Sequence, residues 1–211
     1  MLLAFDTATP AVTVALHDGD RVVASHRTVD ARRHGELLAP GITAVLDQAG
    51  VPRQDVTAVA VGVGPGPFTG LRVGLVTART LALALQIPVY GVCTLDILAV
   101  QAVDEGLDTP FLVATDARRK EVYWAAYDGR GARLDAPQVS RPADVATHGP
   151  VVGAGAVLYP EAFPHPVQPA LPDAGVLAGV VVEERAELLD PDPLYLRRPD
   201  IAAPATPKRV S

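Results

Sequence analysis

Val59-Ala60-Val61-Gly62-Val63-Gly64-Pro65-Gly66-Pro67-Phe68-Thr69-Gly70-Leu71-Arg72-Val73-Gly74, continued by Leu75 to Gln86, decides the fold. Val56 to Val63 is dense in β-branched and small apolar residues, the composition of a strand covered on both faces. Gly64-Pro65-Gly66-Pro67 then breaks the strand. Proline lacks the donor a ladder needs, and glycine supplies torsions closed to other residues. Thr69 reads as the N-cap of the helix that follows, its hydroxyl placed to accept from an amide of the first turn. On that helix Gly70, Gly74, Ala78 and Ala82 recur every fourth residue and form one stripe without long side chains. Glycine inside a helix costs about 1 kcal/mol relative to alanine. Gly74 therefore predicts the close passage of another helix, either of this chain or of a partner.

A glycine-rich turn feeding a helix raises the hypothesis of phosphate binding by free amides. The stretch matches neither G-x-x-x-x-G-K-[ST] nor G-x-G-x-x-G, and its two prolines remove amides a phosphate would need. A structural or interface turn is the stronger reading.

Working outward, Leu2–Asp6, Val12–His17 and Arg21–Thr28 read as three strands, the last two joined by Asp18-Gly19-Asp20. His34 to Ala49 carries Leu37, Leu38, Ile42, Val45, Leu46 and Ala49 on a helical period, ended by Gly50. Pro40 inside it costs about 3 kcal/mol in an ideal helix, so a kink or a start later than His34 is expected. Pro88–Val92 is a strand and Thr94–Val103 a helix. The order β-β-β-α-β-α-β-α implies a mixed sheet, a meander followed by parallel strands, flanked by helices. It fills residues 1–104.

Residues 105–211 form a second, smaller unit. Phe111–Thr115 and Glu121–Tyr127 read as strands, Val151-Val152 as a short strand into a glycine turn, and Asp173–Leu188 as a helix before an extended tail. Thirteen of the 20 prolines lie beyond residue 128, so this half is expected to be loop-rich.

Composition sets limits. At 211 residues the chain is long enough to bury a sizeable core, and 49% hydrophobic with 20% charged residues is that of a globular protein. A net charge of -6 argues against a surface built mainly for nucleic acid. The single cysteine, Cys93, excludes an internal disulfide and reads as a packing residue. The N-terminal residues lack the pattern of a signal peptide, and the longest apolar stretch is broken by Arg79 and Gln86; a cytoplasmic protein with no membrane association is expected.

No two of the five histidines share a metal-binding spacing. Asp30 and His34, four apart, fit capping or a salt bridge better than ligation. Asp6, at the end of the first strand, is the best single acid for catalysis or metal contact, and an Asx turn with Thr7 to Thr9 explains it equally well. Asp116, Arg118, Arg119 and Glu121 cluster at a hairpin and read as a solvated, salt-bridged turn or an interface rim.

Gly64-Pro65-Gly66-Pro67-Phe68-Thr69-Gly70-Leu71-Arg72-Val73-Gly74 closely resembles the Gly-Pro-Gly-Ser-Phe-Thr-Gly-Leu-Arg-Val-Gly signature of the TsaB (YeaZ) family, departing from it at Pro67. Phe5-Asp6-Thr7-Ala8, His34 with Leu37-Leu38-Ala39-Pro40, Asp116-Ala117-Arg118-Arg119 with Glu121-Val122-Tyr123, and Pro193-Leu194-Tyr195-Leu196-Arg197-Arg198-Pro199 extend the resemblance over almost the whole chain.

The resemblance implies an α/β chain of the actin-like ATPase (ASKHA, ribonuclease-H-like) fold, with mixed sheets, flanking helices and two subdomains. It implies a non-catalytic subunit in the synthesis of threonylcarbamoyladenosine on tRNA. Such a subunit pairs with and activates the catalytic paralogue TsaD, is joined by the ATPase TsaE, forms a homodimer when alone, and meets tRNA indirectly through the complex. No cofactor is implied on this chain; ATP and metal belong to the partner subunits.

The pairing surface so implied comprises His34, Leu37, Leu38, Ile42, Gly70, Leu71, Gly74, Ala78 and Ala82. Asp6, Thr7, Gly153 and Gly155 would be a vestigial nucleotide site. Thr94 and Leu98 stand where the catalytic paralogue has its His-x-x-x-His pair, and neither is a metal ligand of that kind. The rival reading is an independent enzyme of the same fold, a small-molecule kinase or a glycoprotease-like metallopeptidase. Arg197, Arg198, Lys208 and Arg209 make a basic end that fits either an RNA contact or a solvated tail.

Overall fold

Strands β1 (Leu2–Asp6) and β2 (Ala11–His17) are buried at every residue, whereas β3 (Val22–Val29) is largely exposed, as an edge strand is. Helix α1 (His34–Ala49) ends on Gly50 in the left-handed conformation. Then come β4 (Ala58–Gly62), α2 (Phe68–Leu85), β5 (Val89–Val92) and α3 (Thr94–Asp104). The second series is β6 (Phe111–Asp116), β7 (Val122–Tyr127), β8 (Gln138–Ser140), β9 (Val151–Val152), α4 (Ala154–Leu158), β10 (Pro166–Val167) and α5 (Ala174–Glu183). The computed structural model describes residues 1–197; Arg198, Lys208 and Arg209 of the basic end lie outside the described residues.

The strands form two five-stranded sheets, β3-β2-β1-β4-β5 and β10-β9-β6-β7-β8. In each, three antiparallel strands form a meander, the fourth pairs in parallel beside the first, and the fifth lies parallel outside the fourth. Numbered within each half, both sheets read 3-2-1-4-5. This doubled arrangement is the actin-like ATPase fold.

The alternation of side chains along the first sheet divides the core. Leu3, Phe5, Val14, Leu16, Val59 and Val61 face α1 and α2, meeting Leu38, Ile42, Val45, Leu71, Leu75 and Ala78. Leu2, Ala4, Ala15 and Ala60 face the other way, onto Ile97 and Val100 of α3 and Leu177, Ala178 and Val180 of α5. The opposite side of α3, Leu95, Leu98, Ala99 and Ala102, packs on Phe111, Val113, Ala125 and Tyr127 of the second sheet. One helix thus serves as wall to both sheets.

Residue 104 separates the two sheets but not what packs on them. α5 covers the first sheet, and the Thr13 hydroxyl accepts from the Ala174 amide at 3.0 Å. Leu189 exchanges backbone hydrogen bonds with Gly91 at 2.8 Å each, and the Leu194 amide donates to the Val63 carbonyl at 2.9 Å. The tail therefore runs back along the first half.

Three expectations are corrected. α2 begins at Phe68, with Pro67 at the N-cap and no side-chain cap; Thr69 is the second helical residue and exposed. The helix starts as soon as the prolines end. α1 does start at His34 and continues through Pro40. The carbonyl that Pro40 leaves without a donor belongs to Glu36, and both residues are exposed, so that end of the helix is open to solvent. α5 stops at Glu183 because Glu184 turns left-handed, at φ 54°, and Asp173 is its N-cap, accepting from the amides of Gly175 at 2.7 Å and Val176 at 3.4 Å.

Candidate functional site

The signature loop is fitted to the turn that follows β1. A Cβ added to Gly66 would lie 2.1 Å from the Ala8 carbonyl oxygen, one on Gly70 2.5 Å from the Thr7 carbonyl oxygen, and one on Gly74 2.5 Å from the Thr7 hydroxyl. No side chain fits at such distances. The Thr7 hydroxyl donates to the Gly70 carbonyl at 2.8 Å and locks the two segments. The close neighbour of the small-residue stripe is thus this turn and the sheet beneath it, not the expected second helix. Glycine is needed at Gly66 and Gly70 because backbone meets backbone, and at Gly74 because the Thr7 hydroxyl, held by its bond to Gly70, fills the space.

The same packing turns most of the expected pairing residues inward. His34, Leu38, Ile42, Gly70, Leu71, Gly74, Ala78 and Ala82 are buried within the chain, and Leu37 is half-buried. His34 donates through Nε2 to the Thr9 carbonyl oxygen at 2.8 Å; a carbonyl only accepts, so Nε2 carries the proton. Asp30 takes no part in this. It accepts from the amides of Arg32 and Arg33 and pairs with Arg33 at 2.8 Å, which holds its carboxyl below the usual range.

Asp6 is fully enclosed. Oδ1 accepts from the Ala8 amide at 2.8 Å, and Oδ2 from the Thr94 hydroxyl at 2.7 Å. A Cβ on Gly62 would fall 1.8 Å from Oδ2. Burial pushes the Asp6 carboxyl up, against the opposing effect of the Thr94 and Ala8 hydrogen bonds and the nearby His34. The Asx-turn reading accounts for its geometry. Leu98 lies in the core, and among the described residues no three of His, Cys, Asp and Glu come together to hold a metal.

A cleft of about 420 Å³ lies between the halves, lined largely by apolar residues such as Ala8, Pro10, Val29, Val157 and Leu171, with Thr115, Asp116 and Arg118 at one wall. Asp6, Thr7, Gly153 and Gly155 do not line it. Gly153, at φ 102°, and Gly155 instead bring α4 against the Ala114 carbonyl, where added Cβ atoms would lie at 2.3 and 2.8 Å. These residues do not fit a magnesium nucleotide: the only acid proposed for the metal has both oxygens engaged inside the fold, and among the described residues no lysine lines the cleft.

Two arrangements escaped the sequence reading. The first is a buried polar cluster under α3. Asp96 accepts from the Tyr127 hydroxyl at 2.6 Å and from Arg133 at 2.9 and 3.1 Å, and Arg133 reaches on to Glu187 at 3.0 Å. Burial raises the Asp96 carboxyl, opposed by Tyr127 and Arg133. Beside it Cys93 is fully buried, and that burial, with Asp96, pushes its thiol up to about 12; such a thiol is no nucleophile. Nothing in the spacing of Asp96, Tyr127 and Arg133 announces their meeting.

The second is the outer face of α2. Tyr195 stacks on Phe68 with ring centroids 5.4 Å apart, Arg72 lies 4.1 Å above the Phe68 ring and donates to the Tyr195 hydroxyl at 3.1 Å, and Arg79 pairs with Asp192. Beyond this strap, Thr69, Val73, Val76, Thr80 and Leu83 follow one another at intervals of four, three, four and three. Val76 is 62% and Leu83 81% exposed. That interval is the seam of a helix packed lengthwise on another, and its residues lie on the side of α2 opposite the small-residue stripe. By length and composition α2 is also apolar enough to cross a membrane, but Leu71, Leu75 and Ala78 bind it to the sheet.

The comparisons with known proteins agree with this architecture. The family model described as TsaD: tRNA N6-adenosine threonylcarbamoyltransferase matches residues 23–178. An uncharacterized protein of Mycobacterium tuberculosis is 47% identical over 203 residues, covering 94% of this chain and 92% of its own. The tRNA threonylcarbamoyladenosine biosynthesis protein TsaB of Escherichia coli is 42% identical over 126 residues, 60% of this chain and 54% of that protein. The solved structure of YeaZ from Pseudomonas aeruginosa superposes with a TM-score of 0.78 at 36% identity, over 92% of this chain and 99% of that one. With the signature loop seated on its turn and the likeness to YeaZ running over nearly both whole chains, this chain belongs to the TsaB (YeaZ) family.

Proposed function

We propose that this chain is the non-catalytic scaffold subunit of an assembly that makes threonylcarbamoyladenosine on tRNA, pairing with and activating a TsaD-like catalytic paralogue together with a TsaE-like ATPase. The observation that carries the reading is the seam Thr69, Val73, Val76, Thr80 and Leu83, exposed at every position but the half-buried Val73. A helix already bound to its own sheet through one side has no intramolecular use for an apolar seam on the other. Arg72 and Arg79 flank the seam, and the neighbouring α1 exposes Glu36 and Asp47. Such a surface can pair with a helix pair of similar character, either a second copy or the paralogue. The earlier pairing assignment keeps its helices and moves to their outer faces. Enclosure of Asp6 and the apolar cleft lend no support to the rival kinase or metallopeptidase reading.

The test is reconstitution with the TsaD relative of the same organism. The expected result is a complex by size exclusion and tRNA modification that depends on this chain, both lost in Val76→Glu/Leu83→Glu with thermal stability retained. Activity without this chain sinks the scaffold reading. A complex untouched by the double variant moves the interface off α2.

A further inference from the structure

Arg118, Arg119 and Lys120 form the tip between β6 and β7, and their φ angles are 62°, 54° and 61°. Left-handed backbone favours glycine and asparagine. Here three successive positions of that kind carry cations, all exposed. The tip is firmly built: the Ala117 amide donates to the Glu121 carbonyl and the Glu121 amide to the Arg118 carbonyl, each at 3.0 Å, and the Arg118 amide to Asp116 Oδ1 at 2.7 Å. Arg197 of the tail fastens its base, donating to the Ala117 carbonyl at 3.1 Å and pairing with Glu121.

The cations continue on both sides. Arg118 shares a cleft of about 190 Å³ with Arg32, and Lys120 shares one of about 700 Å³ with Arg141. Arg32, Arg118, Arg119, Lys120 and Arg141 are five of the 18 Lys and Arg of a chain whose net charge is -6. Acids among the described residues beside them include Asp30, which accepts from the Arg32 amide and pairs with Arg33, Asp116, 3.2 Å from Arg118, Glu121, held by Arg197, and Glu161 on the wall of the larger cleft.

We propose that this stripe is a phosphate-backbone surface through which the chain itself touches RNA. The inference rests on the function proposed above and adds a direct contact to it. Cations spread over two clefts and the ridge between them suit a run of phosphates better than one small anion. Guanidinium forks match phosphate oxygens two at a time, and on a chain of net charge -6 such a concentration of cations stands apart from the average surface. Protein interfaces centre on apolar or aromatic anchors, which the three tip residues do not supply.

The experiment measures binding of the full chain, alone and with its TsaD relative, to fluorescently labelled tRNA across a potassium chloride series. Arg118→Glu/Arg119→Glu/Lys120→Glu is expected to weaken binding at least about tenfold and to flatten the plot of log affinity against log salt by about 2, three contacts at about 0.7 each. Arg32→Glu/Arg141→Glu, outside the hairpin, is expected to weaken it as well and decides the matter if the triple variant misfolds. Arg53→Glu, at the far end of β4, is the control and is expected to change nothing. RNA binding and slope unchanged in both charge-reversed variants overturn the proposal, as does a triple variant that loses a protein partner while keeping RNA. If modification requires the chain but tolerates both variants, the contact fails and the scaffold reading stands; if modification does not require the chain, that reading fails.

Discussion

The two sheets have one topology and unequal means of support. In the first, strands run four to eight residues and helices cover both faces. In the second, β8 has three residues, β9 and β10 two each, and α4 five. The second sheet shares α3 with the first and gives α5 up to it. A repeated topology therefore does not mean two repeated folding units. In the first half Gly66 and Gly70 are pressed on the backbone of the turn after β1, and Gly62 and Gly74 on the Asp6 and Thr7 side chains; in the second Gly153 and Gly155 are pressed on the Ala114 carbonyl, and the cationic tip stands exposed.

The largest effects should follow from disturbing the first of these junctions. Gly66→Ala sets a methyl group 2.1 Å from a carbonyl that is itself part of the β1–β2 turn, and Gly74→Leu drives a larger side chain at Thr7. Each is expected to cost about 3 kcal/mol or more, at or above the usual range for overpacking, measured by urea denaturation. Because α3 and α5 tie the halves together, Trp124 fluorescence from the second sheet and far-ultraviolet circular dichroism should report one transition. A Trp124 transition at lower urea would show that the second half unfolds on its own and would break the comparison.

Next in size is the polar cluster that joins α3 to the second sheet. Arg133→Met leaves the Asp96 carboxylate buried without its cation. Losing one partner of a fully buried pair costs about 3–5 kcal/mol; Arg133 retains some exposure, so about 2–3 kcal/mol is expected here. Tyr127→Phe removes one hydrogen bond to the same carboxylate and should cost about 1.5 kcal/mol. If both changes prove neutral, the join between the halves is apolar packing alone.

The first half was legible because its signals are long and repeated. The turns between them marked off β1 to β3, and the helical period ending at Gly50 marked α1, although Pro40 argued wrongly for a kink or a later start. In the second half β6 and β7, the short β9 before its glycine turn and all but the end of α5 were legible. β8 and β10, of three and two residues, carry no period, and α4 is little more than one turn. The site was legible as a stretch but not as a contact. Gly74 announced a close neighbour without saying that it was Thr7, because a missing side chain shows that something is near and not what it is. Asp6 stood out as an acid, but the Thr94 hydroxyl that encloses it comes 88 residues later. Thr69, Val73, Val76, Thr80 and Leu83 formed a seam in plain sight, hidden by the stronger stripe on the other side of the same helix.

Asp6 offers a third, smaller effect, read as a dependence on pH. Its folded pKa is raised above the unfolded value of about 3.8 by burial. Between those two values the folded state binds the extra proton, so its contribution to stability is full below the unfolded pKa and is lost as pH rises through the folded one. Asp6→Asn keeps an acceptor for the Ala8 amide and can donate to Thr94, but does not titrate. The stability of the native protein relative to the variant should therefore fall as pH rises above about 4, by at most about 1.4 kcal/mol per pH unit. A constant difference would show that Asp6 does not titrate differently on folding.

The smallest effect has the opposite sign. Gly179 lies inside α5, where an added Cβ meets nothing within 4 Å and its φ is not left-handed. Gly179→Ala should therefore stabilise by up to about 1 kcal/mol, because alanine restricts the unfolded chain and favours the helix. Its value lies in where the gain appears. α5 belongs by sequence to the second half and by packing to the first. If packing governs, the Trp124 signal and the circular dichroism shift together to higher urea, since α5 braces one side of α3 and the second sheet rests on the other. A shift confined to circular dichroism would mean that α5 supports its sheet without supporting the molecule. The two halves would then be joined less tightly than α3, Asp96 and Arg133 imply.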